Sequence, residues 1–209
     1  MIFLIERMDL VTDKFVDNFI PHMPIERQRK ANKFKRKIDR DLCVMGYWLL
    51  CYAIEKEYGL RFYPQLSLGE YGKPILKDYP NIHFNISHCN AGVVCVVSQN
   101  EVGIDIQDIQ LYNPLVAKRI CSQDELRSLE QCNNPEHLFC KLWTIKESHL
   151  KLHGASVECM ENKVSADWIL TQSNNYVFMH WGMNYHLCCF GEQKDMKIVV
   201  VGEEAFHYA

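Results

Sequence analysis

Between residues 25 and 58 the chain sets Ala31, Phe34, Ile38, Leu42, Met45, Leu49 and Tyr52 at three- and four-residue steps. Spacing of that kind draws a single apolar stripe down one face of a helix, and the stripe must be covered by other elements. The pattern predicts one helix over Ile25–Tyr58, with Gly59 as its stop and Gly46 marking a close approach within it. The period then changes. Arg61–Leu68 reads as extended and Glu70-Tyr71-Gly72-Lys73-Pro74 as a turn. Ile82–Ile86 alternates apolar with polar, Ser87–Asn90 reads as a turn, and Gly92–Ser98 and Val102–Gln107 read as strands. A long helix followed by a small antiparallel meander is the expectation for the first half.

The second half repeats that order. Pro114–Glu130 is helical, broken near Cys121-Ser122, where Ser122 is placed to cap a second segment. Pro135–His153 is a helix with Asn134 as candidate cap and Gly154 as stop. Val164–Leu170, Tyr176–Trp181, Tyr185–Phe190 and Lys197–Val201 read as strands, as do residues 2–8. The fold class is therefore α/β in the α+β sense. Periodicity alone suggests two halves, expected at 1–104 and 105–209, with no low-complexity linker and no residue-level repeat to prove a duplication.

Composition narrows the function. The chain has 209 residues, 48% of them apolar, and a net charge of −3, so no global field draws it to nucleic acid or to a membrane. No apolar run reaches 18 residues, and the opening Met1–Ile5 lacks the length and basic leader of a signal peptide. A cytoplasmic location is expected. The ten cysteines show no C-x-x-C spacing, which argues against zinc and redox motifs and favours free buried thiols.

Four segments carry charge in patterns that chemistry uses. Arg27, Arg29, Lys30, Lys33, Lys35, Arg36, Lys37 and Arg40 stand against one acid, Asp39. This is either a solvated helix face or a site for phosphate. Nucleic acid is a weaker alternative, because aromatic residues for base stacking are sparse there. Gly72-Lys73-Pro74 and Phe84-Asn85-Ile86-Ser87-His88 place a lysine and a Ser-His pair beside strands, where ligands gather, although a lone loop histidine usually does nothing. In the strand 102–107, Gly103, Asp105 and Gln107 share one face, opposite Val102, Ile104 and Ile106. Asp105 is either a sheet-rim acid or a metal ligand. Trp143, Glu147 and Lys151 lie on one helix face, either as a surface Glu-to-Lys pair or as a carboxylate and an ammonium aimed at a metal-bound phosphate.

Taken in order, Tyr71-Gly72-Lys73-Pro74, Phe84–His88, Val102–Ile106 and Leu142–Ser148 with Lys151 resemble the phosphopantetheinyl transferase superfamily, in its larger surfactin-synthetase-activating type. The resemblance covers about residues 25–155. It implies a pseudo-dimer of two similar halves, each a helix on a small, mostly antiparallel sheet, with the active site in the cleft between them. The implied reaction moves 4′-phosphopantetheine from coenzyme A to a serine of an apo acyl or peptidyl carrier protein. It is magnesium-dependent and releases adenosine 3′,5′-bisphosphate.

The resemblance also implies roles. Asp105 and Glu147 are magnesium ligands, and Glu147 is the candidate base. Lys151 stabilises charge on the diphosphate. Lys146, His88 and Ser87 contact coenzyme A phosphates, and Lys73, Arg27 and Lys30 lie near the 3′-phosphate. Gln107, a candidate third metal ligand through its uncharged amide oxygen, stands where many relatives place a third acid, which predicts looser magnesium binding or a water in that position. The carrier would meet the region Leu115–Leu129 through Val116, Ile120 and Leu126, unless these are core residues. A monomer is expected. The alternatives are a coenzyme A-binding relative without activity, and a nucleic-acid- or partner-binding module using the basic helix.

Overall fold

The computed structural model describes residues 1–155, 164–172, 175–192 and 194–207. In chain order the elements are β1 (Ile2–Ile5), α1 (Asp13–Phe19), α2 (Ile25–Ala31), α3 (Lys37–Tyr58), β2 (Leu66–Leu68), β3 (Pro74–Leu76), β4 (His83–Cys89), β5 (Gly92–Ser98) and β6 (Val102–Asp108). They continue with α4 (Pro114–Ile120), α5 (Gln123–Gln131), α6 (Pro135–Leu152), α7 (Ala166–Gln172), β7 (Tyr176–Trp181), β8 (Tyr185–Gly191) and β9 (Ile198–Val200). The fold is mixed α and β, with small sheets that are mostly antiparallel. One sheet runs β4-β5-β1-β9, a second β6-β8-β7, and β2 with β3 forms a separate hairpin.

The alternation within β1 and β5 sets the layering. Phe3 and Ile5 of β1 and Val93, Cys95 and Val97 of β5 join the core beneath α3, with Leu42, Met45 and Leu49. The opposite faces of the same strands, Ile2 with Leu4 and Val94 with Val96, join the other core, with Val102, Ile104, Ile106, Leu187 and Cys189. The two sheets thus share an apolar interior. α3 covers the first sheet on its outer face, and α6 covers the second through Leu142, Ile145, Leu152, Cys188 and Phe190. Each sheet has one long helix on it, although one sheet has four strands and the other three.

Several sequence expectations change. The helix expected over Ile25–Tyr58 is two helices, with residues 32–36 between them. Arg36 is extended (φ −90°, ψ 132°), and Phe34 and Ile38 are partly exposed rather than on a buried stripe. Like charges at Lys33, Lys35, Arg36 and Lys37 repel along a helix face and weaken continuation there. Val164–Leu170, expected as a strand, instead leads into α7, where the Ser165 hydroxyl accepts from Trp168 N at 3.1 Å and Asp167 sits in the first turn. The strand at residues 2–8 ends at Ile5, and only Leu66–Leu68 of the segment 61–68 is a strand. Asn134 makes no side-chain cap bond to α6. The break before α5 is as expected: Ser122 and Glu125 form a reciprocal capping box.

The division at 104/105 falls inside β6, and the end of the chain returns to the first half. β9 pairs parallel with β1, and Phe206 packs against Phe15 and Trp48. A β-branched run such as Ile198-Val199-Val200 gains most by adding to the exposed edge of β1. Polar side chains also stitch the halves. Asn85 Oδ1 accepts from Ile104 N at 3.0 Å, and Asp108 accepts from Asn90 N, Asn90 Nδ2 and Ala91 N at 2.8–3.0 Å. No helix among the described residues is long and apolar enough to cross a membrane.

Candidate active site

The edge strand β4 and the edge strand β6 run beside each other where the two sheets meet, and α6 lies over β6. The close approach of α6 is written into Gly103. A Cβ there would stand 2.2 Å from the Ser148 carbonyl oxygen and 2.3 Å from Leu152 N, so only glycine admits the helix backbone. Because side chains alternate along β6, Asp105 and Gln107 share the face of Gly103. On α6 the four-residue step brings Trp143, Glu147 and Lys151 to that same face. Ser87 and His88, expected in a turn, are instead the continuation of β4, which runs on to Cys89.

These residues converge on a cavity of about 280 Å³ lined by Ser87, His88, Asp105, Gln107, Trp143, Glu147 and Lys151. Lys151 Nζ donates to Asp105 Oδ1 at 2.6 Å and to Ser87 Oγ at 3.0 Å, and lies 3.9 Å from Glu147 Oε2. Ser87 Oγ donates to Asp105 Oδ1 at 2.7 Å. Burial raises the Glu147 carboxyl above its ordinary value; nearby Lys151 partly offsets this, and the Asp105 carboxylate adds to it. Desolvation, with the charges of Lys151 and Lys30, lowers the His88 imidazole. The site therefore holds a histidine whose proton affinity is lowered and two crowded carboxylates sharing one ammonium.

Asp105 Oδ2 is buried and has no hydrogen-bond partner. An orphaned carboxylate oxygen beside a second carboxylate and the Gln107 amide is a donor set suited to a hard cation. Among the described residues no group of three or more His, Cys, Asp or Glu side chains is placed to hold a metal, and the acidic side chains lining this cavity are Asp105 and Glu147.

The structure separates other candidates from this cavity. Lys146, expected at a phosphate, turns away from the cavity toward the core beside α6. It is 3% exposed and donates to Glu125 Oε2 at 2.7 Å and Ile120 O at 2.8 Å. Adjacent residues of a helix point about a quarter-turn apart, and Lys146 falls on the core side. Arg27 turns toward α3. Its guanidinium lies 5.6 Å from the Tyr47 ring and donates to Cys43 O at 3.4 Å. Lys73 is held by Glu101 and two backbone carbonyls. Lys30 is exposed, and its charge reaches His88.

Sequence reasoning missed Glu125 and Asp108. The signal for Glu125 was present in the Ser122-x-x-Glu125 box, whose acid also accepts from Ala166 N at 2.7 Å. Ile120, named for a carrier surface, is core, and Leu126 packs against that core. Leu111 and Leu115 are exposed instead. Leu111 borders a groove of about 300 Å³, lined also by Tyr112, Val116, Phe139 and Trp143, which reaches Gln107 at the edge of the first cavity.

Residues 101–203 match the family model described as the 4′-phosphopantetheinyl transferase superfamily. The chain is 33% identical over 141 residues to the 4′-phosphopantetheinyl transferase Sfp of Bacillus subtilis (strain 168), covering 66% of this chain and 63% of that protein. It is 35% identical over 144 residues to a 4′-phosphopantetheinyl transferase of Bacillus subtilis, with the same coverage of each chain. It is 40% identical over 111 residues to the transferase gsp of Aneurinibacillus migulanus, covering 52% of this chain and 46% of that one. The matched segment spans about 63% of the length of the first two relatives.

Proposed function

Because this chain belongs to the 4′-phosphopantetheinyl transferase superfamily, we propose that it transfers the 4′-phosphopantetheine arm of coenzyme A to a serine hydroxyl of an apo acyl or peptidyl carrier domain. The carrying observation is the convergence of Asp105, Glu147, Lys151 and Ser87 in one cavity at the seam of the two sheets.

In the reaction the serine oxygen forms a bond to the phosphorus bearing the pantetheine arm. The bond from that phosphorus to the bridging oxygen breaks, and adenosine 3′,5′-bisphosphate leaves. The serine proton goes to Glu147, the candidate base in this cavity. Lys151 is placed to donate to diphosphate oxygens, and Ser87 and His88 flank the same cavity. Lys30 adds positive charge from the His88 side. Mg²⁺ is the proposed ion; Asp105 and Glu147 would hold it, with Gln107 beside them. When bound, it supplies positive charge for the diphosphate oxygens. The free thiols at all nine described cysteines support a reducing compartment, the cytoplasm. The exposed Leu111, which lines the groove, and the exposed Leu115, next in sequence to the groove residue Val116, are the proposed contact for the carrier.

The test is a mixture of the protein with coenzyme A, Mg²⁺ and a panel of apo carrier domains, read by mass spectrometry. The expected result is one added phosphopantetheine per carrier. Glu147→Gln is expected to slow that gain by roughly 10³-fold while the protein stays folded. No mass gain on any carrier would sink the proposal.

A further inference from the structure

Lys73 lies in the turn between β2 and β3, after two residues with positive φ, Tyr71 (60°) and Gly72 (81°). The left-handed backbone turns its side chain inward, where it is 11% exposed. Its ammonium has three N–H groups, and all three are occupied. They meet the Glu101 carboxylate, Val102 O at 3.0 Å and Leu152 O at 2.9 Å. Glu101 is itself held by His83 Nδ1 at 3.0 Å. Lys73 therefore has no donor left over for a phosphate.

The two carbonyls it joins are informative. Leu152 is the last residue of α6, and Val102 is the first residue of β6. The last carbonyls of a helix lack intrahelical donors and carry the negative end of its dipole, so a buried cation there is well placed. One residue before Leu152 is Lys151, and just over one turn before that is Glu147. Asp105 is three residues along β6 from Val102. The ammonium is thus fastened to both elements of the catalytic cavity, beside the contact of Gly103 with Ser148 and Leu152.

We propose that Lys73 is a positioning residue: it clamps the end of α6 onto the start of β6 and so sets Glu147 and Lys151 against Asp105. The proposal rests on the transferase reading for its kinetic test, and on geometry alone for its exchange test. A shift of about 1 Å between groups of this kind lowers a rate by up to roughly 100-fold without weakening substrate binding in proportion.

The experiment compares the wild-type protein with Lys73→Met and Lys73→Arg, using coenzyme A and 3′-dephospho-coenzyme A with a carrier domain and saturating Mg²⁺, well below each melting temperature. The expected result for Lys73→Met is a kcat about tenfold or more lower with both donors, KM for coenzyme A within about twofold of wild type, and partial recovery in Lys73→Arg. Amide hydrogen exchange should quicken at 149–153. A KM rise confined to coenzyme A, leaving the dephospho form unaffected, would show a phosphate contact and overturn the proposal. An unchanged kcat with a lowered melting temperature would reduce Lys73 to a structural residue and equally overturn it. If Lys73→Met does not fold, Glu101→Gln carries the same measurements. If the wild-type protein modifies no carrier, the transferase reading fails, and exchange at 149–153 alone decides the clamp: faster exchange supports it, and unchanged exchange overturns it.

Discussion

Helices α3 and α6 occupy matching places, each lying along a small sheet, yet they bury different chemistry. The covered face of α3 is Leu42, Val44, Met45, Tyr47, Trp48, Leu49, Leu50, Ala53 and Ile54, with Asp41 near its start as the one buried charge. The covered part of α6 includes Thr144, Lys146, Glu147 and Ser148 among Cys140, Leu142, Ile145 and Leu152. Apolar burial stabilises by about 25 cal/mol per Å², while a buried charge destabilises unless it is paired. α3 therefore serves mainly to hold the fold together. α6 gives up part of that stability to keep ionised groups at fixed positions.

Glycine substitutions break the comparison most sharply. Each helix approaches its sheet near one glycine, Gly46 within α3 and Gly103 under α6. At Gly46 an added Cβ would press only on the Ile86 Cγ2 methyl at 3.2 Å, whereas at Gly103 it would meet helix backbone at 2.2 Å. A side chain can shift; two packed backbones cannot without moving α6 off β6. Gly103→Ala should destabilise by more than about 3 kcal/mol or prevent folding, while Gly46→Ala should stay within about 1 kcal/mol of wild type, its added methyl being offset by helix propensity. Chemical denaturation of the two variants checks this, and equal losses would remove the distinction between the two interfaces.

The buried pair on the back of α6 gives the next effect. Lys146→Met leaves Glu125 buried with its charge uncompensated, so the loss should be about 3–5 kcal/mol. The double variant with Glu125→Gln should regain part of it, although Glu125 also accepts from Ser122 N and Ala166 N. KM for coenzyme A should not move in either protein where it is folded, since Lys146 faces away from the cavity. A KM rise in the folded double variant would return Lys146 to the substrate.

These cases mark how far the sequence can be read. Periodicity places Asp105 and Gln107 on one strand face and Glu147 with Lys151 on one helix face, because both follow from repeats of two and four. The break at Ser122 is legible from its cap. What is not legible depends on which side of an element meets which partner. Lys146 adjoins Glu147 in sequence and so shares its motif, but the helical turn sends it to the core. Arg27 and Lys73 are basic residues in expected places, but Arg27 lies against Tyr47 and Lys73 is taken up by the Glu101 carboxylate and two backbone carbonyls. The return of β9 to β1 is hidden because a three-residue valine-rich strand carries no sign of its neighbour. Val164–Leu170 resists reading because a short apolar run fits either period, and the Ser165 cap decides it.

A pH effect separates the sheets more gently. His186 on β8 is buried, and neither ring nitrogen has a hydrogen-bond partner. Desolvation, with His137 and Lys141 facing it, lowers its pKa to about 4. The unfolded chain binds this proton near pH ~6.5, so the contribution is complete above that value and is lost as pH falls toward about 4. After allowance for solvent screening the loss is on the order of 1–2 kcal/mol. His186→Leu should leave stability at neutral pH unchanged or higher and flatten this part of the stability profile. An unchanged slope across that acid range would assign the acid sensitivity to other groups.

The smallest effect tests the charge of the candidate cavity itself. Gln107 shares the strand face of Asp105 and lines the same cavity, but brings a neutral oxygen where the paired carboxylates bring charge. In the proposed site, Gln107→Glu adds a third negative group within reach of the ion. Attraction to Mg²⁺ rises, and so does repulsion from Asp105 and Glu147 when the ion is absent, so binding gains from both sides. The metal affinity, read by calorimetry with Mg²⁺ or Mn²⁺ in the presence of coenzyme A, should tighten by roughly threefold to tenfold, about 0.6–1.4 kcal/mol. The same added charge should lower thermal stability without metal, because Lys151 already serves two carboxylates. If the stability falls but the affinity does not move, residue 107 shares the field of the site without touching the ion.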